Sequence, residues 1–145
     1  MIKFTVLRDS WIRGDENPKL LRPEDGKRCC LGFLAKTMGL TDYDISGVGD
    51  PTGVRNIPGK NDFSDLLTVS NMDFRRPSKV CSLIIKANDD FPYKLANEIN
   101  IFPEEVNSKE FKYRVKPEQL NVIEQYREDK LKKLFSDLDV EVEFV

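Results

Sequence analysis

Histidine is absent from the 145 residues, which removes the side chain that most often serves as general base or proton shuttle near neutral pH. Any acid-base chemistry would fall to a carboxylate or a thiol. Cysteine is scarce, with Cys29 and Cys30 adjacent and Cys81 alone. An odd count inside apolar segments fits buried thiols in a reducing compartment better than a disulfide framework. The spacing also lacks the Cys-x-x-Cys signature of zinc sites, so neither a metal site nor a cofactor is expected. No apolar run approaches the ~18 residues of a membrane span, and Met1-Ile2-Lys3-Phe4-Thr5 enters an alternating pattern without a signal-peptide core. The expectation is a cytoplasmic protein without membrane contact. Neither sign of charge dominates. The 23 Lys+Arg and 25 Asp+Glu are interspersed and leave a net charge of −2, which argues against disorder and against a general nucleic-acid coat.

What is present suffices for one domain spanning 1–145. Ile2 to Arg8 alternates apolar and polar residues, as does Val140 to Val145, so both ends read as half-buried strands. Ile2, Phe4 and Val6 share one face and Val140, Val142 and Phe144 another, which suggests that the two ends join in one antiparallel sheet. Pro23-Glu24-Asp25-Gly26 reads as the turn of a hairpin feeding a helix from Cys30 to Met38, with Gly39 and Leu40 as its Schellman ending. Gly32 inside that helix implies close backbone packing. Thr41 to Asp44 resembles an N-cap followed by an acidic residue three positions on. Ser46 to Lys60 holds four glycines and two prolines and reads as a long, mobile loop.

Phe63 to Val69 fits a strand and a helical turn equally. A second buried helix is expected to start near Pro77 or Ser78, with Pro77 in its first turn, and to end at Asn88-Asp89-Asp90. Within 91–116, Tyr93 to Ile99 suits a short helix and Phe111 to Val115 a strand. The longest helix runs from Pro117 to about Leu138, and its pairs Glu128 with Lys132 and Asp129 with Lys133 read as a solvated face. The fold class is α+β, a small antiparallel sheet packed by two or three helices.

Cys29 and Cys30 at a helix start, beside Lys27 and Arg28, have the setting of a reactive thiol. The apolar residues that follow favour burial instead, and no catalytic residue is assigned. Trp11 reads as a core anchor. Gly47, Gly49 and Gly53 have the glycine content of a phosphate-cradling loop, with Arg13, Arg28 and Arg55 as the cations that would complete an anion-binding set. The stretch lacks the Lys-Ser/Thr pair of a P-loop, follows a helix rather than a strand, and carries Asp50. Arg8, Arg13, Arg22, Lys27 and Arg28, with Arg75-Arg76, could form a local basic patch, or simply scattered surface charge.

Trp11-Ile12-Arg13-Gly14, Gly26-Lys27-Arg28-Cys29-Cys30-Leu31-Gly32-Phe33, Asp44 to Gly49, Asn88-Asp89-Asp90 and the Val140 to Val145 ending, together with Phe4-Thr5, resemble a small family of uncharacterised phage and prophage proteins. The Cys-Cys-Leu-Gly-Phe block is the most specific part, and 91–116 is an insertion without a counterpart. The resemblance implies a context, the host bacterial cytoplasm, and no site residues. On it rests the leading expectation, a non-enzymatic phage accessory protein that binds a host protein stoichiometrically in counter-defence or host takeover. The second expectation is a binder of a small anionic, nucleotide-like ligand through Arg13, Arg28, Gly47, Gly49, Gly53 and Arg55. A third is an enzyme using Cys29 or Cys30, which the missing histidine disfavours.

Overall fold

The computed structural model describes residues 1–14, 17–71, 74–101 and 117–145. In chain order its elements are β1 (Ile2–Val6), α1 (Cys30–Thr37), α2 (Asp42–Ile45), α3 (Asp62–Leu67), β2 (Thr68–Asn71), β3 (Phe74–Pro77), α4 (Lys79–Asp89), α5 (Pro92–Glu98), α6 (Pro117–Ser136) and β4 (Val140–Phe144). The fold is α+β, and the two terminal strands pair as the alternation suggested. Their sense differs from the expectation. β1 and β4 are parallel, in register from Ile2 opposite Val140 to Val6 opposite Phe144. Period-two alternation is identical for either direction, so it identifies the shared face and leaves the orientation undetermined. α6 packs on β4 and leads into it through the 137–139 turn.

Local chemistry explains most boundaries. The α1 ending is a Schellman motif: Leu40 N–H donates to Ala35 O at 3.0 Å and Gly39 N–H to Lys36 O at 3.1 Å, with Gly39 at φ +96°. Thr41 and Asp44 form a reciprocal capping box that starts α2. A Cβ on Gly32 would lie 1.9 Å from the Leu20 carbonyl oxygen, so only glycine lets α1 approach the 19–22 segment. The turn at Pro23–Gly26 closes with Arg22 N–H on Lys27 O at 2.8 Å, but the flanking residues make isolated bridges rather than a ladder: Trp11 with Arg28, and Leu21 with Ser46. The ambiguous stretch 63–69 is both things in turn, helix α3 and then strand β2. Pro77 closes β3, and Ser78 caps α4 by accepting Cys81 N–H, so Pro77 lies before the helix rather than in its first turn. The helix expected within Tyr93–Ile99 is α5; the strand expected at Phe111–Val115 lies outside the described residues.

The main core gathers Phe4, Val6, Trp11, Leu34, Ile45, Phe63, Ile84, Leu131 and Phe135 between the strands and helices. Phe4 and Phe135 meet edge to face, centroids 5.1 Å apart. A smaller cluster packs Leu95 and Ala96 of α5 on Ile123 of α6. Between the clusters Arg127, fully buried, donates from Nη1 to the Ala87 and Asn88 carbonyls, each at 2.9 Å. A cation there satisfies the orphan carbonyls at the end of α4 and opposes the helix dipole. Glu128 is also buried and receives Arg8 in a two-pronged pair at 2.9 and 2.8 Å. The reading of Glu128 as part of a solvated face is thereby corrected: its partner is 120 positions away, which helical spacing cannot show.

Candidate functional site

Val145 N–H donates to Val6 O at 3.0 Å, and Arg8 N–H donates to Val145 O at 2.7 Å. In a parallel pair this means that Val145, and by alternation Glu143 and Glu141, turn their backbone groups toward β1, as do Phe4, Val6 and Arg8 toward β4. Lys3 and Thr5 therefore turn their backbone N–H and C=O groups away from β4. Among the described residues no further strand joins this sheet. Among the described residues no hydrogen bond engages the Lys3 and Thr5 main-chain groups, so this edge keeps unpaired backbone donors and acceptors. Two-stranded parallel sheets seldom stand alone, because parallel strands are normally covered on both sides. A groove of about 710 Å³ spans both strands and α6, lined by Lys3, Phe4 and Thr5 of β1, Val140 to Glu143 of β4, and Lys132 and Ser136 of α6.

The structure splits the six residues of the expected anion-binding set. Gly47, Gly49 and Gly53 lie in a loop tied to the core by Leu20 N–H on Val48 O and Gly47 N–H on Leu21 O, both at 2.8 Å. Asp50 accepts Thr52 N–H at 2.7 Å and caps a short 3-10 turn at Pro51–Gly53. Arg75 of β3 holds the next stretch through the Val54 carbonyl and the Asn56 side chain. Arg28 and Arg55 both arrive at α2, Arg28 on Asp42 at 3.1 Å and Arg55 over the Tyr43 ring at 5.7 Å. Arg13 is elsewhere: it pairs with Glu124 of α6 at 2.9 Å and covers the Trp11 ring at 4.3 Å.

Trp11 is a core residue, as expected, and it is anchored by Asn88 rather than by apolar contact alone. Asn88 Oδ1 accepts the Trp11 indole N–H at 2.8 Å and the Cys30 N–H at 3.2 Å, while its Nδ2 donates to Ile12 O at 3.1 Å and Asp89 Oδ1 at 2.8 Å. That uses the whole capacity of an amide side chain. The three blocks around Trp11, Cys29-Cys30 and Asn88 thus meet at one buried side chain. Beside it Cys29, Cys30, Asn88 and Asp89 line a small crevice closed by Pro18 and Gly49. Burial pushes the Cys29 and Cys81 thiols up to about 12 and Cys30 well above its ordinary value, with the Asp89 charge adding to the rise at Cys29 and Cys30. Desolvation also raises Asp89, against the Asn88 hydrogen bond. Protonated thiols are poor nucleophiles, so the helix start does not activate this pair.

Residues that single-sequence reasoning passed over include Asn88 as a hub, Arg127 and Glu128. An Asn in an Asn-Asp-Asp helix ending gives no sign of partners 58 to 77 positions away. The open β1 edge was also missed, since a strand's free side is a property of the sheet and not of the strand. Among the described residues no group of His, Cys, Asp and Glu side chains has the arrangement of a metal site, and no helix is long and apolar enough to cross a membrane. Compared with protein-family models, curated proteins and solved structures, the chain matches none.

Proposed function

We propose that the chain acts by stoichiometric binding of a protein partner, which adds an extended segment to the β1 edge along the groove; the host-directed, phage accessory setting of that binding comes from the family resemblance. The N–H and C=O groups of Lys3 and Thr5, unpaired among the described residues, carry the reading. An unpaired edge gives main-chain hydrogen bonds to an incoming strand, and the neighbouring groove gives side-chain selectivity. Lys3 and Glu141, 3.4 Å apart on the exposed face, set the polar character of that groove.

Thr5→Pro is the discriminating variant. Proline deletes the outward N–H and places a ring on the edge, yet removes no bond to β4, because Thr5 faces away from it. Affinity capture from bacterial lysate followed by native mass spectrometry should show an integer-stoichiometry complex with the wild-type chain. The same complex should be lost with Thr5→Pro, whose circular dichroism melt stays close to wild type. Equal capture by a folded Thr5→Pro chain, or no stoichiometric partner for wild type, overturns the proposal.

A further inference from the structure

We infer that α2 and its surroundings form a nucleotide-binding site, with the Tyr43 ring as stacking platform and Arg55 and Lys60 as phosphate ligands. The site shares no lining residue with the groove beside β1 and does not rest on the binding proposed there.

Tyr43 is 78% exposed on a helix of one turn. Its ring is therefore open to a planar ligand from solvent. Its surroundings are cationic in a chain that is net negative. Arg55 lies over the Tyr43 ring at 5.7 Å, Lys60 is 3.8 Å from Asp44, and Lys36 and Arg28 reach Asp42 at 2.9 and 3.1 Å. Two carboxylates thus stand against four cations. Both carboxyls are held below the usual range. Lys36 and then Arg28 do this at Asp42; at Asp44 the Thr41 backbone N–H leads, with Lys60 and Arg55 adding to it. Donors exceed acceptors as well as charges: Arg28 Nη1 is buried without a hydrogen-bond partner among the described residues.

The arrangement selects its ligand class. An exposed ring with a guanidinium on one side offers its remaining surface to a planar base, as in single-strand recognition, where each base stacks on an aromatic side chain. Arg55, over the Tyr43 ring, and Lys60, 3.8 Å from Asp44, are both exposed, and a phosphate beside the ring would face these two cations. A base joined to phosphate satisfies both, whereas a bare anion uses only the cations. Stacking plus cation is common to a free nucleotide and to a nucleotide unit within a strand.

Isothermal titration calorimetry of the full chain with ATP, inorganic triphosphate and a short oligothymidylate tests the site. ATP is expected to bind, and inorganic triphosphate about tenfold more weakly, since the loss of one stacked base is worth about a factor of ten or more. Tyr43→Ala should weaken ATP by a similar factor and leave triphosphate unchanged, while Arg55→Ala weakens both. Both positions are exposed, so melting temperatures should stay at the wild-type value and report that the variants are folded. Tighter binding of the oligothymidylate than of ATP, lost in the same variants, assigns the site to a strand; the reverse order assigns it to a free nucleotide. Absence of binding by both ATP and the oligothymidylate overturns the inference, as does ATP binding that is indifferent to Tyr43→Ala.

Discussion

Asn88 and Trp11 are joined 77 positions apart by an indole N–H donating to Oδ1 at 2.8 Å, and this bond fixes the end of α4 against the segment that follows β1. The same amide serves Cys30 N–H and Ile12 O. Replacing it with Leu strands those groups in the core, and each unsatisfied buried group costs about 1–3 kcal/mol. Asn88→Leu is expected to lower stability by about 4 kcal/mol in urea denaturation. A loss below about 1 kcal/mol would show that the amide is not the hub.

Gly32→Ala tests the approach of α1 to the 19–22 segment. The added Cβ meets backbone rather than a movable side chain, so α1 must shift bodily. A loss of about 3 kcal/mol or more, roughly 10 °C in melting temperature, is expected by thermal denaturation. On helix propensity alone, Ala would stabilise the helix.

Arg8 and Glu128 form an asymmetric pair, with side-chain exposures of 46% and 7%. Removing Arg8 leaves a buried carboxylate uncompensated, while Glu128→Gln leaves a cation that water can reach. Arg8→Ala should therefore lower the melting temperature more than Glu128→Gln does. The reverse order would mean that Glu128 is solvated in solution.

How much of this was legible in the sequence depends on range. The Schellman ending at Gly39, the capping box at Thr41 and Asp44, and the close approach at Gly32 are local or imply contact through a missing side chain, so composition and spacing revealed them. The strand pairing of the two ends was legible as a shared face. Its parallel sense was not, because alternation carries no direction. Arg127 under the end of α4 and Glu128 beneath Arg8 look like ordinary charges on a long helix until the tertiary neighbours are known. The six residues of the anion-binding set are not gathered at one place, for a similar reason: Arg28 and Arg55 lie at α2, on Asp42 and over the Tyr43 ring, while Arg13 turns to Glu124.

The buried thiols make stability depend on alkaline pH. The pKa of Cys29 rises from an ordinary 9.0 to about 12 on folding, and that of Cys81 likewise. A raised folded-state pKa stabilises fully below the unfolded value and loses that stabilisation as pH climbs toward the folded value. Stability should therefore fall above pH 9, by up to about 1.4 kcal/mol per pH unit and thiol. Labelling with a disulfide reagent at pH 8 should be slow in the native protein and fast in denaturant. Rapid labelling of Cys29 or Cys30 in the native protein would restore the reactive-thiol reading.

Asp89 gives the complementary test near neutrality. Its carboxyl is raised by desolvation, so ionising it costs stability that the protein retains only below the unfolded carboxylate range. Asp89→Asn should raise the melting temperature at pH 7, and the gain should disappear by about pH 4. A variant that is destabilised at pH 7 would show the charge to be favourable.

Amide hydrogen exchange at β1, read by NMR on the free chain and on its captured complex, tests the open edge most directly. Lys3 and Thr5 should exchange fast in the free chain beside protected Phe4 and Val6, and all four should be protected once the partner is bound. Protection of Lys3 and Thr5 already in the free chain, or fast exchange in both states, would contradict strand addition at this edge.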